Sequence, residues 1–125
     1  MWWGAAIEAP DPGALAAFYS RLLDWPVAHA DPATAIVKPP QDSVFLVFQL
    51  AEEYVPPVWP PAPGEQRTMM HLDFQVEDLD AAVADAVALG ARVAGSSRRT
   101  TSGFCWIRPG ARSACAGTTK TDLSP

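Results

Sequence analysis

At 125 residues and 49% apolar composition, the chain is long enough to bury one core and too short for two independent domains. A net charge of -5 and a pI near 4.8 exclude a surface built to neutralise nucleic-acid or anionic-lipid phosphates, and no apolar run reaches the roughly 20 residues of a membrane span. No charged leader precedes an apolar stretch, and Cys105 and Cys115 have neither CxxC spacing nor the density of a disulfide scaffold, so the expectation is a cytoplasmic protein with free, unreactive thiols.

Residues 3–9 are short and mostly apolar and run into Pro10-Asp11-Pro12, which predicts a strand followed by a helix capped by Asp11 with proline in its first turn. Over 13–23, Leu15, Phe18, Tyr19, Leu22 and Leu23 recur at helical spacing and form one apolar stripe. Asp24-Trp25-Pro26 ends it. Short strands are then expected over 27–30, 35–38 and 44–50, separated by Asp31-Pro32 and Pro39-Pro40-Gln41-Asp42. Residues 51–67 hold five prolines and predict an extended, polyproline-like connector.

The second half repeats the first. Aligning Asp11 with Asp78 sets an offset of 67 residues (78 minus 11), which pairs Ala5 with Leu72, Ile7 with Phe74 and Ala9 with Val76. A strand over 70–76, a helix over 79–89 capped by Asp78 and stopped by Gly90, and strands over 92–94, 104–107 and 113–116 follow. The fold class is therefore α+β, two tandem βαβββ modules over 1–50 and 68–117 with the connector between them and a polar tail over 118–125. Alternation places His71, Asp73 and Gln75 on one face of the 70–76 strand and Leu72, Phe74 and Val76 on the other. Phe45, Val47 and Gln49 share a face of the 44–50 strand in the same way. His29 reads as a partly exposed strand residue.

The paired modules, Ala17-Phe18-Tyr19-Ser20-Arg21-Leu22-Leu23-Asp24-Trp25, His71-Leu72-Asp73-Phe74, and Phe48-Gln49 before a tryptophan-containing linker together resemble the vicinal-oxygen-chelate superfamily, in its glyoxalase-like, bleomycin-resistance and dioxygenase branch. The resemblance covers roughly residues 3 to 116. It implies curved mixed sheets around a cavity and a homodimer. In metal-using members, a ligand lies on the first and last strand of each module, which directs attention here to Gly4, Gln49, His71 and Cys115. His71 and Gln49 are thus the candidate ligands for a divalent Zn, Ni, Mn or Fe ion, although Gly4 supplies nothing and the usual last-strand carboxylate is missing.

This pattern favours a small-molecule-binding protein with a degenerate metal site and no cofactor, in which His71, Asp73, Gln49, Phe45, Gln75 and Trp59 contact the ligand. The alternative is a metal-dependent lyase, isomerase or dioxygenase acting on a substrate with vicinal oxygens. Asp73 is then the candidate general base, although a carboxylate beside a histidine serves equally to fix its tautomer. Trp59 in the connector is a cover for the cavity or a packing residue.

Overall fold

The computed structural model describes residues 1–58, 61–67, 69–70, 72–93, 104–109 and 116–119, the last two stretches as backbone strands. Two compact units divide the chain, Met1–Tyr54 and Val55–Pro125. Each is a mixed four-stranded sheet with one helix, an α+β architecture.

The first unit contains β1 (Trp3–Ala9), α1 (Pro12–Leu23), β2 (Val27–Ala30), β3 (Thr34–Val37) and β4 (Val44–Leu50). The sheet order is β1-β4-β3-β2, with β1 and β4 parallel and the other pairs antiparallel. Helix α1 begins where its sequence signals place it: Asp11 is extended (φ -141°) and its Oδ1 accepts the Ala14 N–H at 3.0 Å, while Pro12 spends no hydrogen bond at the first turn. It ends at Asp24, which takes the left-handed conformation (φ 53°). Beyond that turn the Trp25 N–H donates to the Ser20 carbonyl at 3.0 Å, and the Ser20 hydroxyl donates back to the Trp25 carbonyl at 2.6 Å.

The stripe predicted for α1 packs on the sheet. Leu15, Ala16, Phe18 and Tyr19 are buried with Ile7, Ala9, Ala35, Val37, Leu46 and Phe48. Tyr19 stacks on Phe48 with ring centroids 5.4 Å apart, and Phe18 meets Tyr19 edge-on at 5.1 Å.

The second unit contains β5 (Leu72–Gln75), α2 (Leu79–Ala88), β6 (Ala91–Val93), β7 (Phe104–Pro109) and β8 (Ala116–Thr119), in sheet order β5-β8-β7-β6. Asp78 Oδ1 accepts the Ala81 N–H at 3.0 Å, and Gly90 (φ 103°) takes the positive φ that turns the chain into β6. Val83, Ala86 and Ala91 form the buried apolar set among the described residues of this unit.

Two expectations change. The last strand is Ala116–Thr119 rather than 113–116, so it takes residues assigned to the polar tail and pairs Leu72 with Ala116 and Gln75 with Thr119. Small and threonine residues carry no alternation that fixes a strand's start, while β-branched Thr118 and Thr119 suit an extended backbone. The proline-rich connector also turns back on itself instead of running straight. Val58 bridges Arg67 and donates to the Gln66 carbonyl at 2.9 Å, and Gly64 (φ 87°) sits in a turn closed by the Glu65 N–H on the Ala62 carbonyl.

Candidate functional site

Alternation in the first sheet separates a face covered by α1 from an open one. On β4, Leu46 and Phe48 are buried while Phe45, Val47 and Gln49 are half-buried or exposed; on β1, Ile7 and Ala9 are buried while Gly4, Ala6 and Glu8 are not. The parallel register aligns these open positions in rows. Gly4 lies opposite Phe45, Ala6 opposite Val47, and Glu8 opposite Gln49. On the other side of β4, Ile36 continues the Val47 row, with His29 beyond it on β2, and Thr34 continues the Gln49 row. The open face therefore has an apolar middle of Ala6, Val47 and Ile36, an aromatic position at Phe45, and a polar row of Glu8, Gln49 and Thr34.

At the Phe45 row the two strands come unusually close. A Cβ built on Gly4 would lie 2.5 Å from the Phe45 ring carbons Cδ2 and Cε2, and 2.5 Å from the Phe45 carbonyl oxygen. Only glycine leaves room for this ring. Past the ends of the rows, the Lys38 ammonium stands 4.8 Å from the centroid of the Trp2 ring, a cation–π contact.

In the second unit, Asp73 and Gln75 are exposed while Leu72, Phe74 and Val76 are half-buried, so β5 alternates as its sequence predicts. Asp73 lies opposite Gly117 of β8. His71, Trp59 and Cys115 fall outside the described residues.

These placements test whether the first unit suits a divalent metal. Gly4 offers no donor, and the space where a donor side chain would start is filled by Phe45. Gln49 is four residues along the sheet from the Gly4 row, roughly 13 Å at about 3.3 Å per residue, and its neighbour is Glu8. Glu8 and Gln49 supply two oxygen-bearing side chains where a catalytic ion keeps about three protein ligands. Among the described residues no group of three His, Cys, Asp or Glu comes together to hold an ion. The first unit does not fit a metal at the positions that the resemblance marks.

Sequence reasoning passes over Thr34 and admits Glu8 to the site only under a different first-strand register or cavity. The alternation of Gly4, Ala6 and Glu8 is visible in the sequence, but the β1–β4 register that brings Glu8 to Gln49 is not. At the β2–β3 turn, His29 Nε2 lies 2.7 Å from Asp31 Oδ2, and Asp31 Oδ1 accepts the Ala33 and Thr34 N–H groups at 2.8 Å each. The His29 hydrogen bond, with the two backbone donors, holds the Asp31 carboxyl below its ordinary value.

The profile of a family described as Glyoxalase-like domain matches residues 4–115. The fold is similar to that of a glyoxalase-related enzyme from Fulvimarina pelagi, with a TM-score of 0.69, 13% identity, and coverage of 100% of this chain and 91% of that one. A glyoxalase/bleomycin resistance protein/dioxygenase family enzyme from Burkholderia phytofirmans PsJN gives 0.66 at 17% identity over 94% and 95% of the two chains. A bleomycin resistance determinant encoded on the transposon Tn5 gives 0.59 at 14% identity over 98% and 99%. No curated protein matches the chain by sequence. Among the described residues no helix is long and apolar enough to cross a membrane.

Proposed function

The chain belongs to the glyoxalase-like domain family, and from that premise we propose that it is a small-molecule-binding protein of the glyoxalase and bleomycin-resistance type with a degenerate metal site. The observation that carries this reading is the Gly4–Phe45 contact: an aromatic ring takes the room in which a first-strand metal ligand would begin, and makes that part of the open face an apolar wall. The polar row of Glu8, Gln49 and Thr34 beside it supplies the few directional groups that such a wall needs to orient a ligand.

In this reading the two βαβββ units act as tandem modules, a proposal supported by the 67-residue repeat and by the common strand order of the two sheets. Phe45 and Gln49 are proposed to contact a ligand on the first module, and His71, Asp73, Gln75 and Trp59 stay proposed contacts on the strength of the family resemblance alone. Residence in the cytoplasm and assembly as a homodimer complete the proposal; exposed Trp2 and Trp3, at the start of the edge strand β1, support an association surface.

Elemental analysis of the purified protein, joined to a tryptophan-fluorescence screen of aromatic and peptide-like compounds, tests the reading. Saturable binding of one compound class without stoichiometric Zn, Ni, Mn or Fe is expected. A tightly held ion that raises thermal stability would replace this reading with a metal-dependent lyase, isomerase or dioxygenase, with His71 and Gln49 the first ligands to mutate. A blank screen with no ion bound rejects both.

A further inference from the structure

The open face of the first sheet carries opposite charges at its two ends. Glu8 shares the last row with the Gln49 carboxamide and the Thr34 hydroxyl, and among the described residues its carboxylate has no hydrogen bond or ion pair. At the opposite end Lys38, two residues on from Ile36, holds its ammonium over the Trp2 ring. Between them lie Phe45, then Ala6, Val47 and Ile36, and apart from Glu8 itself β1, β3 and β4 carry no charged side chain. From the Gly4 row to the Glu8 row is four residues of strand, roughly 13 Å at about 3.3 Å per residue.

We infer that this face binds an elongated zwitterion, with its ammonium on Glu8 and Gln49, its anionic group at Lys38, and an apolar middle lying across Val47, Ile36 and Phe45. The inference rests on the small-molecule reading above and adds the charge and length of the ligand to it. The carboxylate and the Gln49 carbonyl oxygen accept from an ammonium, which itself has only donors. Lys38 repels a cation placed the other way round, so the same pair of charges fixes the orientation of the ligand. The Trp2 ring positions the Lys38 ammonium without neutralising it.

The test uses four probes titrated against the full chain by calorimetry: 11-aminoundecanoic acid, undecylamine, undecanoic acid and 6-aminohexanoic acid, whose charges stand too close to reach both ends. The long zwitterion is expected to bind about two- to fivefold tighter than either singly charged chain and than the short zwitterion, the gain that an ion pair at exposed or half-buried side chains allows. Its advantage over undecanoic acid disappears in Glu8→Gln, and its advantage over undecylamine disappears in Lys38→Gln. Glu52→Gln, which removes the same charge from an exposed turn, keeps both advantages. Equal binding of the long zwitterion and the singly charged chains overturns the inference and leaves the face standing as a binding site. So does a preference that survives in Glu8→Gln and Lys38→Gln. Failure of all four probes to bind overturns the inference, and a blank ligand screen beside it takes the underlying reading down as well.

Discussion

The ring of Phe45 occupies the space directly over Gly4, and the Phe45 carbonyl presses on the same point from the backbone side. A side chain at position 4 meets both. Ring carbons can swing away, but the carbonyl belongs to the β1–β4 ladder and moves only with the strand. Gly4→Ala should therefore cost about 1–3 kcal/mol of unfolding free energy, as overpacking does. Adding Phe45→Ala should recover only the ring's share. Urea denaturation of the single and double variants measures this, and a neutral Gly4→Ala would show that the strands are not held this close.

Adjacent faces of β4 should respond very differently to truncation. Phe48 is fully buried against Tyr19, while Phe45 is half-buried on the open face. Phe48→Ala should cost about 3–5 kcal/mol, the usual cost of deleting a packed aromatic. Phe45→Ala should cost clearly less and should instead weaken binding of any aromatic ligand found by the fluorescence screen. Equal losses of stability at the two positions would contradict the assignment of faces.

What could be read from the sequence follows how local each determinant is. The α1 stripe of Leu15, Phe18 and Tyr19, the Asp11 and Asp78 caps and the Gly90 turn depend on residues within one or two helical turns, and they stand where the sequence puts them. Alternation on β4 and β5 is equally local, so the outward set of Phe45, Val47 and Gln49 and that of Asp73 and Gln75 were legible. Register is not local. Gly4 lies opposite Phe45, and Gln49 lies opposite Glu8, because hydrogen bonding between distant segments decides which residues meet. The placement of β8 was missed for a related reason: 113–119 is built of small and polar residues, so no apolar period marks where pairing with β5 begins.

The two helix caps offer matched probes of the two units. Asp11 and Asp78 each accept an N–H three residues on at 3.0 Å. Asp11→Ala and Asp78→Ala should each destabilise by about 1 kcal/mol, as the loss of a side-chain cap does. Hydrogen exchange adds the spatial information: Asp11→Ala should raise exchange first in the opening turn of α1, and Asp78→Ala in that of α2. Uniform acceleration across both helices would mean that the units open together in one cooperative step.

The β2–β3 turn gives the first unit a defined acid response. Asp31 is held below its ordinary value of 3.8, first by the hydrogen bond with His29 and then by the Ala33 and Thr34 amides. A carboxyl depressed in the folded state takes its proton more readily in the unfolded chain. Its stabilising contribution is therefore fully present above the unfolded value and is lost as pH falls through the lower folded-state value. Asp31→Asn should leave a shallower decline in stability below about pH 4 than the parent shows, while the two curves run parallel at neutral pH. Both groups of the pair are about half exposed, so the difference should shrink as salt is raised. Thermal midpoints measured from pH 2.5 to 7 at low and high salt decide it, and an acid limb that Asp31→Asn leaves unchanged would show that the His29 contact does not persist in solution.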